Sequence, residues 1–378
     1  MLGLALDAPG HRVRHHLRGP SLTRLAYLDW LRGLAVLVMI EAHVVDAWTR
    51  PADRQRDLFH DAAFVGGLAA PLFLFVAGLS LVLAAAARLA RGATQAEAAR
   101  AALVRGAQVY VLALLFRVQA QILGWGPIYN LLRVDVLNVM GLGLVAAARL
   151  WAVSRRRGAR ILVFAVAVGA CAMTTPLVRS WDALAILPDP IEAYLRPTPP
   201  YSVFTLWPWT GFVLAGALVG ELVDATRGTR DPWRLHAALA LAGVAGGYLA
   251  WLASFQPSIY AESTFWGSSP TFFFLRLGIV TALVPATWLA EKGLGRLVGD
   301  GLGVLGRSSL FVYWVHVELV YGGLATPLED RLPIEASLAG VATVAALMYW
   351  LTTVKNRWMA GRTIPPRLWI LEPLLRKA

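Results

Sequence analysis

The sequence DWLRGLAVLVMIEAH, residues 29–43, is an apolar run that continues to residue 48 and is long enough to enter a membrane. It nevertheless carries four ionisable side chains, Asp29, Arg32, Glu41 and His43. An ionisable side chain in mid-bilayer costs about 2.5–3.5 kcal/mol on insertion scales, so such groups usually face a protein interior or a wet cavity. The run therefore predicts a membrane helix whose charged residues face the inside of a helical bundle.

Arg32 and His43 are predicted to lie on one face of this helix. Eleven residues are close to three full turns, so the two side chains project in one direction about 16 Å apart along the axis. Asp46 falls near the same face, where it could orient or charge the imidazole. A cation near one membrane face and a titratable base toward the other favour a reaction site within the membrane. The alternative is an ordinary helix with an arginine anchor and a packed histidine.

The composition narrows the class of protein. Hydrophobic residues make up 57% and charged residues 15% of the chain, which is typical of a helical membrane protein. The net charge of +12 lies in short segments between apolar runs, so membrane orientation explains it and no nucleic-acid partner is expected. The single cysteine, Cys171, cannot form an internal disulfide, and no metal cofactor is expected. No signal peptide is apparent before the first run, and we expect this run to act as an uncleaved anchor.

Ten apolar runs approach the roughly 20 residues that cross a bilayer. They lie at about 31–48, 62–87, 101–123, 133–153, 160–178, 206–223, 235–254, 270–291, 302–323 and 335–354. We therefore predict an all-α polytopic integral membrane protein of about ten transmembrane helices. One transmembrane domain would occupy 31–354, between a basic N-terminal segment, 1–30, and a basic tail, 355–378.

The basic residues indicate the orientation of these spans. The two terminal segments and the connections on their side hold 25 of the 35 Lys and Arg residues, whereas the opposite connections hold 6. Basic residues remain on the cytoplasmic side, so both termini are predicted to be cytoplasmic. Arginine far outnumbers lysine, as in proteins from GC-rich bacterial genomes, and we expect a bacterial inner (cytoplasmic) membrane.

Two connections on the opposite side, 179–205 and 255–269, are rich in aromatic residues and proline. They could cover an acceptor pocket, because aromatic faces suit sugar rings. They could equally be interfacial belts, where Trp and Tyr collect in any membrane protein.

Four segments occur in an order that indicates a family. They are YLDWLRGLAVLVMI (27–40), APLFLFVAGLS (70–80), LRVDVLNVMGLG (132–143) followed by LWPWTGFVLAGALVG (206–220), and LGRSSLFVYWVH (305–316). Together they resemble the heparan-α-glucosaminide N-acetyltransferase-like family of membrane acyltransferases, within a superfamily that includes the acyltransferase 3 proteins. The resemblance implies transfer of an acyl group, most often acetyl, from cytoplasmic acyl-CoA to a hydroxyl or amine on the far side. Sugars of cell-surface glycans are the usual acceptors.

The resemblance leaves two candidates for the catalytic base. In the acyltransferase 3 relatives an Arg and a His ten intervening residues later form the signature, which Arg32 and His43 match. In the heparan-type branch that His is typically Asn, and the essential His lies later, where His60 is the nearest candidate. The loop before His60 differs from that branch in length and pattern, so we favour His43.

Acyl transfer from a thioester needs a base for the acceptor's proton and groups that hold the donor. We predict His43 as general base, with Asp46 or Glu41 orienting it, and direct transfer in preference to an acyl-histidine intermediate. The candidates for binding the CoA phosphates and amides are Arg32, Arg133, Asn138 and Arg307. The candidates for lining a tunnel or positioning the substrate are Asp29, Glu41, Asp135, Tyr313 and His316, although these polar residues could instead be structural clusters between helices.

The main competing function is a secondary transporter or flippase, because intramembrane charges also mark substrate pathways. The two halves of the sequence show no inverted repeat of broken-helix signatures, which counts against a transporter. A scaffold or sensor without catalysis would not need so many buried ions. The acceptor, the acyl chain length and the oligomeric state, including a homo-oligomer, stay open.

Overall fold

The computed structural model describes residues 24–360 except 125, 126, 228 and 230. Most of the predicted terminal segments, namely 1–23 and 361–378, thus lies outside the described residues. In the described part, regular secondary structure is helical, with two isolated β-bridges. The α-helices are α1 (Ala26–Trp48), α2 (Asp57–Gly66), α3 (Ala69–Ala90), α4 (Gln95–Gly124), α5 (Val136–Ala152), α6 (Arg157–Arg179), α7 (Asp189–Glu192), α8 (Leu206–Ala225), α9 (Pro232–Ala253), α10 (Pro270–Val298), α11 (Gly301–Arg307), α12 (Ser309–Tyr321) and α13 (Ile334–Trp358).

The helices agree with the predicted fold class. Each of the ten apolar runs falls on one helix, except the second, which falls on α2 and α3, and the ninth, which falls on α11 and α12. Seven helical segments are long and apolar enough to cross a membrane: α2 with α3, α4, α6, α8, α9, α10 and α13. The other predicted spans correspond to α1, which carries more charge, and to the shorter α5 and α12. The all-helical membrane protein is thus confirmed, whereas ten spans and cytoplasmic termini stay predictions.

Helix α1 is central to the bundle and contacts α2, α3, α10, α11, α12 and α13. Its side chains Leu31, Ile40 and Val44 are fully buried. Because α1 is enclosed by other helices, its ionisable residues face protein or cavity instead of lipid, as the cost of charge in hydrocarbon requires.

Glycines allow the closest helix crossings. A Cβ atom at Gly78 of α3 would collide with the backbone carbonyl of Val213 in α8, and one at Gly216 of α8 with the carbonyl of Phe75 in α3. Small residues at such crossings let two backbones approach and fix their relative position. Helices α3 and α8 therefore form a tightly packed pair beside α1.

The bundle has two ends with different chemistry. The start of α1, the 91–94 connection and α11 lie together, and we call this the basic end. The end of α1 and the connections 179–205 and 254–269 lie at the opposite end, which we call the loop end. Backbone bridges from Thr49 to Leu332 and from Val134 to Ser202 hold connections together at the loop end.

Candidate functional site

A central cavity of about 2080 Å³ runs through the bundle from the basic end to the loop end. The polar lining at the basic end includes Arg24, Arg32, Ser80, Arg88, Glu97, Arg100, Arg105 and Arg307. Toward the loop end the polar lining includes Glu41, His43, Asp46, Arg117, Arg133, Asp135, Arg276, Tyr313, Glu318 and Tyr321. A cavity that is cationic at one end and holds a histidine near the other can admit an anionic donor and a separate acceptor.

Arg32 is fixed at the basic end by two neighbours. Its Nη1 lies 2.6 Å from Asp29 Oδ1, and its Nη2 donates to the hydroxyl of Ser80. The other carboxylate oxygen of Asp29 accepts from Arg24 Nε at 2.6 Å. Asp29 itself is buried and is not among the described lining residues, and it positions Arg24 and Arg32, which do line the cavity.

His43 forms a pair with His316 of α12. Its Nδ1 lies 2.8 Å from His316 Nε2, and the two rings are nearly coplanar, with centroids 5.0 Å apart. His316 is fully buried, and its Nδ1 lies 2.8 Å from the carbonyl oxygen of Val312. Thus His43 lines the cavity and His316 supports it from behind.

The sequence predicted that Asp46 could orient His43, but Asp46 contacts Tyr321 instead. Its carboxylate accepts from the hydroxyl of Tyr321 at 3.0 Å, and the Tyr321 ring lies 5.5 Å from the His43 ring, centroid to centroid. Glu41 also makes no hydrogen bond to the imidazole, and both its carboxylate oxygens lack a hydrogen-bond partner among the described residues. The group that contacts the Nδ1 atom of His43 is therefore another histidine.

Arg133 lies at the loop end, because α5 begins there and its neighbour Val134 donates to the carbonyl of Tyr201 at 2.7 Å. This corrects its predicted position beside the donor phosphates. Asn138 completes a capping box with Asp135 at the start of α5 and is not among the described lining residues. Asp135 lines the cavity and pairs with Arg117 at 2.8 Å.

The remaining predicted residues divide into two groups. Tyr313 lines the middle of the cavity, and Arg307 lines its basic end, where it pairs with Asp300 at 2.5 Å. His60 is exposed on α2, packs against Phe59, and is not among the described lining residues. The structure thus brings His43, Arg32 and Arg307 to one cavity and leaves His60 outside it.

Several cavity residues were not identified from the sequence as site residues. Arg88 and Arg100 lie on either side of the four-residue turn between α3 and α4, and both line the cavity. In the sequence they were counted only among the basic residues that indicate membrane orientation. Tyr321 ends α12, and Trp209 and Trp266 line the loop end. The short turn holds the end of α3 and the start of α4 at the same end of the bundle, so an arginine on each could have been expected to lie near the other.

Among the described residues, no three His, Cys, Asp or Glu side chains gather as a metal site would require. The family described as "Heparan-alpha-glucosaminide N-acetyltransferase, catalytic" matches residues 24–248, more than half of the chain. This match includes α1 with Arg32 and His43, and it ends before α12. No curated protein matches the chain. Because the match covers more than half of a chain that folds as a helical membrane protein, the chain belongs to the heparan-α-glucosaminide N-acetyltransferase catalytic family.

Proposed function

We propose that this protein transfers an acetyl group from acetyl-CoA, bound from the cytoplasm at the basic end, to a hydroxyl or amine of an acceptor, such as a sugar, at the loop end. The observation that carries this proposal is the single cavity that joins the arginines of the basic end to His43. Along α1, Arg32 and His43 are separated by about 16 Å. That length is comparable to an extended pantetheine arm, so the thioester would reach His43 while the nucleotide stays at the basic end.

The hydrogen-bond partners assign the proton positions on the two histidines. A backbone carbonyl only accepts, so His316 Nδ1 must donate to Val312. In a neutral imidazole the other nitrogen then carries a lone pair, and His316 Nε2 accepts from His43 Nδ1–H. His43 Nε2 is consequently left unprotonated, which is the state that a general base needs.

The chemistry follows from this assignment. His43 Nε2 takes the proton from the acceptor hydroxyl or amine as that oxygen or nitrogen attacks the thioester carbonyl carbon. The carbon–sulfur bond then breaks, and the CoA sulfur receives the proton from the imidazolium. The products are the acetylated acceptor and free CoA thiol. His316 stabilises the transient positive charge because its lone pair faces the Nδ1–H of His43.

The arginines of the basic end suit the donor. Guanidinium groups bind phosphate bidentately, and the nucleotide end of CoA carries several phosphate charges. Arg32 is already oriented by Asp29 and Ser80, which reduces the side-chain entropy lost on binding. Arg88 and Arg100 make no ion pair among the described residues and line the same end of the cavity.

Two alanine variants test the assignment of the base. In purified protein, His43→Ala should reduce acetyl transfer, followed as release of CoA thiol, by about 10²–10⁴ while acetyl-CoA still binds. His60→Ala is the matched control and should keep wild-type activity, because His60 is exposed outside the described lining. An active His43 variant together with an inactive His60 variant would assign the base to His60. Absence of acetyl-CoA binding to the wild-type protein would refute the proposed function itself.

A further inference from the structure

A second cavity, which we call the side groove, lies among α6, α8, α9 and α10 and has a volume of about 980 Å³. All four helices are long and apolar enough to span a membrane. On α9 the lining extends from Leu239 to Ala253, about 21 Å at 1.5 Å per residue. One leaflet contributes about 15 Å of hydrocarbon, so the side groove is long enough for a lipid chain.

The side groove is amphipathic along its length. Its helix walls are largely apolar, with Val168, Leu218, Leu222, Leu249 and Phe274 among the lining residues. Most of its polar side chains lie at the loop end, including Gln256, Ser258 and Ser263. The connection that supplies them is anchored across α6, because the Tyr260 hydroxyl donates to the carbonyl of Met173 at 2.7 Å. A groove with apolar walls and polar side chains at one end fits an amphiphile better than a wholly apolar molecule.

Three aromatic rings separate the side groove from the central cavity. Phe265, Trp266 and Phe272 contact one another, with centroids 5.0 Å apart in each pair. Phe265 lines the side groove and Trp266 lines the central cavity. The two cavities therefore meet at one cluster of rings at the loop end.

Arg276 lies at this junction. Its guanidinium is 3.8 Å from the centroid of Phe272 and 5.7 Å from that of Trp209, and it lines the central cavity. Among the described residues, no carboxylate lies within 4.0 Å of it, including Glu41, which reaches the adjacent turn at Gly66. A charge within a membrane span is costly unless it is paired or faces a wet cavity. Arg276 meets this condition only through the cavity that it lines, and an anionic ligand group at the junction would give its charge a partner.

We propose that the acceptor is a membrane amphiphile in which a phosphate joins a lipid chain to a headgroup with the hydroxyl or amine that is acetylated. The chain occupies the side groove, the phosphate contacts Arg276, and the headgroup passes the ring cluster toward His43. This inference rests on the proposed acetyl transfer and specifies its acceptor. It differs from an acceptor that reaches the cavity from the aqueous phase.

A glycine of the groove gives a selective test. Gly246 lines the side groove, and a Cβ atom there would meet nothing within 4 Å, so Gly246→Trp would fill the groove without a backbone clash. Gly169 of α6 has equally open surroundings but does not line the groove, and Gly169→Trp is the matched control. For the junction, Arg276→Gln removes the positive charge and Arg276→Lys retains it.

The assay uses vesicles of total bacterial lipid with acetyl-CoA labelled in the acetyl group. We expect label in the chloroform-extractable fraction, reduced at least about tenfold by Gly246→Trp and by Arg276→Gln. The Gly169→Trp control should retain the wild-type rate, and Arg276→Lys should lose less than Arg276→Gln. Binding of acetyl-CoA should be the same in all variants.

A second measurement does not depend on activity. Phosphatidylglycerol with a photoreactive chain should crosslink to α9 and α10, and Gly246→Trp should abolish the crosslink while Gly169→Trp preserves it. Transfer to water-soluble acceptors alone, or an unchanged rate and crosslink in Gly246→Trp, would overturn the lipid-linked acceptor and leave the acetyltransferase standing. Failure of the wild-type protein to bind acetyl-CoA would instead remove the proposed function on which the inference rests.

Discussion

Substituting His316 tests whether the histidine pair sets the proton position of the base. His316→Ala removes the acceptor for His43 Nδ1–H, which now lies 2.8 Å away. In the ground state that hydrogen bond is between neutral groups and contributes about 0.5–1.5 kcal/mol, whereas a bond to a charged group contributes about 1.5–3 kcal/mol. His43 becomes charged only in the transition state, so the differential loss is about 1–2 kcal/mol. This corresponds to a decrease in kcat of about 5- to 30-fold.

The expected kinetic effects distinguish the supporting role of His316 from that of His43, the proposed base. His43→Ala should lower the rate by about 10²–10⁴, which is a larger effect than that of His316→Ala. The KM for acetyl-CoA should not change, because His316 is fully buried behind His43 and does not line the described cavity. His316→Gln should recover part of the activity, since its amide oxygen can accept from Nδ1–H. The assay is the initial rate of CoA thiol release at saturating acetyl-CoA.

His236 provides the matched control for removing a buried histidine. It is 4% exposed, stacks on Trp288 at 4.2 Å between centroids, and does not line the described cavity. His236→Ala should therefore affect stability without lowering kcat. Wild-type kcat in a folded His316→Ala variant would refute the proton assignment, as would equal losses in the Ala and Gln variants.

Three further predictions concern stability and topology. Arg160→Met breaks the buried ion pair with Glu221 and should lower the free energy of unfolding by about 3 kcal/mol. This is near the lower end for a broken buried pair, because Arg157 lies 3.6 Å from Glu221 and still offsets its charge. Thermal unfolding should show that adding Glu221→Gln restores part of the lost stability. Burial raises the pKa of Asp53, but hydrogen bonds from the Ile334 N–H and Arg50 and the nearby positive charges outweigh it and hold the pKa below its usual range. The ionised Asp53 carboxylate therefore stabilises the fold above about pH 3.9, and this stabilisation is lost as the pH falls through the folded-state pKa. The Asp53→Asn protein should unfold at a lower temperature than wild type at pH 7, and the two unfolding temperatures should converge in acid. Reporter fusions should place residue 378 in the cytoplasm and the 179–205 connection outside, and the reverse result would also move the donor to the other side.

The common face of Arg32 and His43 could be predicted from the sequence alone. Three helical turns separate Arg32 and His43, so a local rule puts them on one face, and both line the central cavity. The same rule places Glu41 about 180° away from Arg32, on the opposite side of α1, although Glu41 was also a candidate for lining a tunnel. The cavity is wide enough to reach both sides of α1, and Glu41 lines it together with Arg32 and His43. Helical periodicity gives the direction of a side chain but not the shape of the space around the helix.

The contacts that complete the site could not be predicted because they join distant parts of the chain. His43 and His316 are 273 positions apart, and no local pattern specifies which helix packs behind α1. Arg133 was misplaced for a different reason. Its positive charge made it a candidate for binding the CoA phosphates, whereas α5 begins at the loop end. The direction in which a helix runs follows from counting spans, and the role of a charge at its end depends on that count.

The central cavity also has a consequence for an energised membrane. A polar passage extending between the two ends of a bundle is a potential path for proton leak, and protons driven by the membrane potential would bypass the machinery that uses them. Fixed positive charges along a pore raise an electrostatic barrier to protons and other cations. Arg88 and Arg100 line the basic end and make no ion pair among the described residues, so they place such charges at one end of the passage. The same guanidinium groups that suit an anionic donor thus oppose the entry of protons and other cations at that end.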